Sequence, residues 1–447
     1  LSPDRATVSL SADSEGALSQ PPFLDRQALY LRPDPARVIV RPFKPATEPR
    51  DLNPTDKTRA NHIVDRVLSL DCEATANQLS DVLENFQGRH RNLLRAFEER
   101  ADEMEDAFAS HVAFTQMQRQ LVGAYFLNEY SFEASALFNP SIVPHPDQSG
   151  IAPGSLRFVL SLRAVGEGHI SSITFRSGVV ASNGKVNIDS TARLASSPTV
   201  RLRPERDDIE IVFKADEDIS ERVIFPITDS QLNGIEDARF VEFKDGGSRI
   251  YYATYTAYSG RTIKSELIET SDFLSFRLSP LKGDAARNKG MALFPKKIGG
   301  KYAMIARQDN ENLYLIYSDD LHTWDGGQAI LKPQYPWEFV QIGNCGSPIE
   351  LEEGWLLLTH GVGPVRKYSI GASLLDKNDP SKVIGRLREP LLRPDPSERE
   401  GYVPNVVYTC GAMRHNDKIV FPYAVSDTFS TFATIEIAAL IKAMQVE

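Results

Sequence analysis

The chain has little cysteine. Cys72, Cys345 and Cys410 stand far apart in 447 residues. An odd number with no CxxC pair excludes a disulfide framework and suggests no zinc site. Reduced thiols fit a cytoplasmic protein. Positive charge is also short: a formal net charge of -10 argues against a nucleic-acid backbone as the main ligand. No apolar run approaches the roughly 18–20 residues that span a membrane, so no membrane partner is expected. Residues 1–20 lack the charged-then-apolar order of a signal peptide. What is present is ordinary for a globular protein, with 41% hydrophobic and 25% charged residues. The length allows one large domain with an appendage or two.

Along the chain the texture changes twice. Residues 1–52 carry Pro3, Pro21, Pro22, Pro33, Pro35, Pro42, Pro45 and Pro49, which excludes long helices. This part is expected to be an extended arm lying on the rest, with one short strand at Val38-Ile39-Val40. From Asn53 to residue 129 the pattern is helical. Stretches 56–71, 73–87 and 89–128 have few breakers, with apolar stripes at Ile63, Val64, Val67, Leu68 and Leu70, and at Leu79, Val82 and Leu83. A third stripe runs through Leu93, Leu94, Phe97, Met104, Phe108, Val112 and Phe114, and Gly88 is a stop between the second and third helices. Three helices with one apolar face each predict a helical module that packs on the main domain or makes a homo-oligomer. A DNA-reading role is disfavoured, because Glu98, Glu99, Asp102, Glu103, Glu105 and Asp106 would repel phosphate.

From 130 to 447 short strands alternate with turn signals. Arg157–Ala164, Ser172–Arg176, Ile209–Phe213, Arg239–Phe243 and Ile250–Ala257 all have strand composition. A weak repeat of roughly 45–60 residues, built only of short strands, suggests propeller blades, about five of them. The expected fold class is therefore an all-β five-bladed β-propeller with an N-terminal α-helical module. In such a fold the inner strands end around a central pocket. Gly234-Ile235-Glu236-Asp237-Ala238-Arg239 sits at the mouth of one strand. Two carboxylates and an arginine there read either as a turn with a local ion pair or as a general acid tuned by its neighbours.

Several further segments decide the matter. Asn139-Pro140, Ser161-Leu162-Arg163-Ala164, the Glu236-Asp237-Ala238-Arg239 stretch, Lys289-Gly290-Met291-Ala292-Leu293-Phe294-Pro295 and Ala306-Arg307 follow one another in order. Gly354-Trp355-Leu356-Leu357-Leu358-Thr359-His360-Gly361, Leu374-Leu375-Asp376, Glu400-Gly401-Tyr402-Val403-Pro404-Asn405 and Tyr423-Ala424-Val425-Ser426-Asp427-Thr428 continue the series. Together they resemble glycoside hydrolase family 130, the mannoside phosphorylases and related mannosidases. The resemblance leaves out the arm and the helices. It implies a five-bladed propeller in which Asp237 is the catalytic acid, protonating the leaving oxygen through a hydroxyl of the mannosyl residue. Phosphate then attacks from the opposite face and gives an α-mannosyl phosphate. An anionic nucleophile needs no general base, whereas an inverting hydrolase needs a second carboxylate to activate water.

By the same resemblance Arg307 and His360 bind phosphate; Arg366 and Lys289 are nearby candidates from the sequence. Asn139, Arg163 and Asp427 hold sugar hydroxyls; Glu236, Arg239 and Lys289 complete the substrate-binding set. Inorganic phosphate is the expected co-substrate and an oligosaccharide the partner, with no other cofactor and no metal. Trp337, Tyr335 and Tyr258 are candidates for stacking on a sugar, against packing as the alternative role.

Three positions depart from the family pattern. Gln341 stands before Ile342-Gly343 where a lysine is usual, Asn344-Cys345-Gly346-Ser347-Pro348 replaces a segment rich in glycine and proline, and Ala306 precedes Arg307 where a histidine is usual. All three fall on the phosphate or acceptor side. Phosphorolysis of short β-mannosides, or its reverse, is the first reading. Hydrolysis is the second, with Glu338, Glu350 or Glu400 as base. A non-catalytic carbohydrate-binding propeller is the third.

Overall fold

A computed structural model describes residues 21–47, 57–105, 114–203, 205 and 207–444. The arm expected over 1–52 is described from 21 to 47, and there it is woven into the sheets. Strand Leu24–Leu31 pairs antiparallel with Phe429–Glu436, placing Leu24 opposite Ile435 and Gln27 opposite Phe432. Strand Val38–Pro42 pairs with Leu127–Ser131. The first described strand is thus the outer edge of the last sheet, a pairing of long range that local pattern could not reveal.

Between strands Val38–Pro42 and Leu127–Ser131 the helices number four among the described residues, not three, and a further helix, Ile437–Met444, follows the last strand. The four are α1 (Arg59–Leu68), α2 (Cys72–Phe86), α3 (Leu93–Glu105) and α4 (Gln116–Tyr125). The stretch expected to be helical over 89–128 breaks because Thr115 starts a new helix. Its hydroxyl accepts from the Gln118 amide while the Gln118 side chain accepts from the Thr115 amide, a reciprocal cap. Beyond α4, Leu127–Ser131 becomes a strand because Val38–Pro42 offers it a ladder. Of the third stripe, Phe108 and Val112, like Asp106, lie outside the described residues, as do Asn53, Pro3 and Pro49. Leu93, Phe97 and Met104 are buried, whereas Leu94 is exposed. Val64, Val67, Met104, Leu121, Val122 and Phe126 form the helical core. Gly123 of α4 lies on the carbonyl of Phe97, where a side chain would collide.

The rest is mostly strand. One 11-stranded sheet, two five-stranded sheets, one four-stranded sheet and a two-stranded ribbon hold the β structure of the described residues. Strand Trp355–Val362 is buried at every position and Ala136–Pro144 at all but its last. Both faces of these two strands are covered, which accounts for apolar runs without alternation. Four core clusters join neighbouring groups of strands: Trp324, Met304 and Ile316 pack with Val241 and Phe243, Ile305 and Leu313 with Trp355 and Leu357. Leu356 and Ile370 pack with Phe421 and Ile435, and Phe432 and Val420 return to Leu160 and Phe158.

A buried ion triad pins the arm. Arg37 donates to Glu133 at 2.9 Å and Arg176 donates to the other oxygen at 3.0 Å, with the Glu133 side chain 0% exposed. Arg37 also donates to the Ser220 carbonyl and lies over Phe132. Breaking such a set leaves charges buried without a partner, which costs about 3–5 kcal/mol. Glu133→Gln should therefore lower unfolding stability by about that amount in denaturant titration; a loss below about 1 kcal/mol would contradict this role for the triad.

Candidate active site

Two strand bulges build the site. In Gly234–Asp245, Glu236 lies opposite Thr256 and Arg239 opposite Thr254, so Asp237 and Ala238 together face one partner residue. In Ala136–Pro144 the same slip falls between Phe138, opposite Arg163, and Ser141, opposite Ser161. An extra residue turns side chains out of the regular alternation. Asp237 has φ 54 and Asn139 φ 47, a left-handed backbone that non-glycine residues adopt at a cost. The Ser141 hydroxyl accepts from the Phe240 amide at 3.0 Å and ties the two bulges together. Asn139 then donates its amide to Asp237 Oδ1 at 2.7 Å.

Arg163 gathers the carboxylates. It donates to Glu236 at 2.8 Å and to Asp237 at 3.3 Å, with its guanidinium over the Phe138 ring. Lys289 stands 4.0 Å from Glu236. Arg239 is buried, donating to the Asp237 backbone carbonyl at 3.0 Å and to the Tyr408 hydroxyl at 2.7 Å. Asp427, at φ 47, sits in the turn between strands Lys418–Val425 and Phe429–Glu436. Arg366, at φ 52, lies in the turn after Trp355–Val362, and its charge acts on Asp427.

These groups open on a cavity of about 470 Å³ lined by Asn139, Arg163, Asp237, Arg239, Lys289, Arg307, His360, Arg366 and Asp427, with Gln341 on its wall. The structure thus brings together every candidate site residue, Glu236 through its contacts with Arg163 and Lys289. Gly343 and Asn344, from the stretch that departs from the family pattern, also line the cavity; Tyr408, Tyr368 and Asn310 join them and were not singled out from sequence. The tyrosines belong to strands whose apolar composition masks them.

Other candidates lie elsewhere. Glu338 is buried, accepting from the amides of Gln334 and Tyr335 and from Arg386 at 2.6 Å. Glu350 pairs with Lys296 at 2.8 Å, and Glu400 is exposed. Trp337 donates to the Arg388 carbonyl and packs on Gly361 and Gly371. Tyr335 lies against Arg386, and Tyr258 donates to the Gly260 carbonyl. None of the six lines this cavity.

The charges are divided. Burial pushes the Asp237 carboxyl up, but Arg163, Arg239, Lys289 and the Asn139 amide outweigh it, so Asp237 stays ionised below the usual carboxylate range. Burial, with Asp237 and Glu236 adding to it against Arg163 and Arg366, pushes Asp427 up to about 7. His360 is held well below its usual value by burial, then by Arg307 and Arg239, and is neutral. Arg307 is 7% exposed and its Nε has no hydrogen-bond partner.

A polar, cation-rich cavity with carboxylates on strand bulges suits a polyhydroxylated ligand together with an anion. The chain belongs to glycoside hydrolase family 130: the sequence model of that family, described as beta-1,4-mannooligosaccharide phosphorylase, matches residues 202–446. A 1,2-beta-oligomannan phosphorylase from Thermoanaerobacter sp. (strain X514) is 38% identical over 47% of this chain and 70% of its own length. A beta-1,2-mannobiose phosphorylase from Listeria innocua is 30% identical over 59% of this chain and 73% of its own. A solved structure of the beta-1,2-mannobiose phosphorylase from Listeria innocua superposes with a TM-score of 0.51 at 21% identity, over 70% of this chain and 93% of that one. The fold is the all-β fold of that family.

The Asp427 shift has a sign. A carboxyl held near 7 when folded and near its ordinary value of about 3.9 when unfolded stabilises the protein at low pH. That contribution is lost as pH rises through about 7. Asp427→Asn removes the titration. The unfolding temperature of the variant minus that of the parent should rise steadily between pH 4 and 8; a flat or falling difference would contradict the shift.

Proposed function

We propose that the protein is an inverting β-mannoside phosphorylase, cleaving short β-mannosides with inorganic phosphate to release α-mannose 1-phosphate. The observation that carries this is the division of charge in the cavity. Its two lining carboxylates, Asp237 and Asp427, both act on Arg163, together with Glu236. Arg307 lines the same cavity with no carboxylate bound to it among the described residues. Glu338 and Glu350 are engaged in other ion pairs. Among the described residues no further carboxylate lines the cavity to act as a base for water, while an oxyanion has buried donors to meet it.

In this reading Asn139, Arg163 and Asp427 hold the mannosyl hydroxyls, and Arg366 orients Asp427. Asp237 supplies the proton, relayed by a sugar hydroxyl to the glycosidic oxygen as the C–O bond breaks. A phosphate oxygen held by Arg307 and His360 forms the new bond to the anomeric carbon from the opposite face. Asp237 is ionised because Arg163, Arg239 and Lys289 outweigh its burial. An incoming phosphate offsets that positive charge and returns Asp237 toward its protonated form. Acid and nucleophile thus become ready together.

We further read the strand groups as five blades, with the 11-stranded sheet contributing two, 136–188 and 199–280. The sequence of core clusters around the molecule, with Leu24–Leu31 completing the last sheet, supports that count. The four helices would stand apart as a module beside the first blade. Among the described residues no helix is long and apolar enough to cross a membrane.

A second reading, hydrolysis, is favoured by the departures on the phosphate side, above all Gln341, a neutral residue on the cavity wall where a lysine is usual. Product analysis with β-1,2- and β-1,4-mannobiose separates the two. Mannosyl phosphate should form only when phosphate is present, and Asp237→Asn should lower kcat by about 10²–10⁴ while binding persists. Free mannose released at a phosphate-independent rate would overturn phosphorolysis.

A further inference from the structure

His360 lies on strand Trp355–Val362 with its imidazole held from several sides. Its Nδ1 is 3.2 Å from the Asn344 carbonyl oxygen. A carbonyl only accepts, so Nδ1 carries the proton. The Cys345 sulfur is the other neighbour of Nδ1, at 3.9 Å. Burial pushes that thiol up to about 12, so it brings no negative charge to favour imidazolium. Tyr368 stacks on the ring and Tyr408 meets it at an angle, with ring centres 5.9 Å and 4.8 Å away. Gly343 passes so close to Cε1 and Nε2 that any side chain there would strike the ring. The charged groups acting on the ring are Arg307, Arg239 and Asp237, and the two arginines together with burial keep it neutral.

A neutral imidazole with its proton on Nδ1 has a lone pair on Nε2. His360 lines the cavity with Arg307, Arg239 and Tyr408. Arg307 brings only donors to this wall and Tyr408 a hydroxyl, whereas His360 Nε2 only accepts. An oxyanion with bare oxygens on every side would set one of them against the Nε2 lone pair. An oxyanion that keeps a hydroxyl can donate it there and accept from the arginines.

We propose that His360 makes this site selective for protonated tetrahedral oxyanions, admitting phosphate and arsenate and rejecting sulfate and monofluorophosphate of the same charge and nearly the same size. The inference rests on the reading of Arg307 and His360 as the oxyanion site. At neutral pH every form of phosphate retains at least one P–OH, and sulfate has none. Size and net charge do not separate the dianions, so only the direction of one hydrogen bond does. A misdirected hydrogen bond to a charged partner corresponds to about a 10- to 100-fold difference in affinity.

The test is isothermal titration calorimetry of the full chain at pH 7.5 with phosphate, arsenate, sulfate and monofluorophosphate. Phosphate and arsenate should bind at least about tenfold more tightly than the other two. Equal affinities, tighter sulfate, or no binding of any of the four would overturn the proposal. His360→Gln, which can turn an amide N–H toward the Nε2 position, should bring the four within about threefold of each other; unchanged discrimination in a folded variant would also overturn it. Phosphorolysis measured in parallel separates this inference from the reaction. Turnover with phosphate but equal sulfate binding removes only the selectivity. Selective binding without turnover removes only the phosphorylase.

Discussion

Arg163 holds two carboxylates that would otherwise repel one another. Its guanidinium bridges Glu236 and Asp237, and the Asn139 amide takes the near oxygen of Asp237. Neither contact would exist on regular strands. Each needs a bulge in its own strand, and the Ser141–Phe240 hydrogen bond keeps the two bulges level. The backbone cost at Asn139 and Asp237 is borne by the packed sheets around them. Strain at these positions has a visible purpose: it turns a carboxylate and its partners toward one cavity.

The same cavity keeps unlike tasks apart by charge. In the proposed reading, carboxylates gather where sugar hydroxyls need acceptors and where a proton must be delivered. Arg307, with its Nε unpartnered, makes no ion pair with a carboxylate among the described residues. A neutral His360 beside it adds a directional group without adding charge. Buried charge is tolerable here only because each ion either has its partner or awaits an anionic ligand.

Sequence pattern was enough for the strands whose both faces are covered, because unbroken apolar runs between turn signals mark them. The candidate site was legible for a different reason. Glu236-Asp237-Ala238-Arg239 alone was ambiguous, and only the ordered set of segments resembling glycoside hydrolase family 130 singled out Asn139, Arg163, Arg307, His360 and Asp427. Less legible were features made by distant parts of the chain. Strand Leu24–Leu31 completes a sheet some four hundred residues away, as its pairing with Phe429–Glu436 records. The Arg37–Glu133–Arg176 triad has no local signature. Tyr408 reads as a core residue until Arg239 is seen to donate to it. The break before α4 was readable in principle, since Thr115 and Gln118 have the spacing of a helix start, but continuous periodicity obscured it.

The central claim is that the cavity has an oxyanion side distinct from its carboxylate side. A crystal structure of the protein with arsenate, located by its anomalous scattering, tests this most directly. The account predicts the ion within hydrogen-bond distance of Arg307 and of His360 Nε2. An ion seated instead between Arg163 and Arg366, with Arg307 and His360 bare, would contradict it.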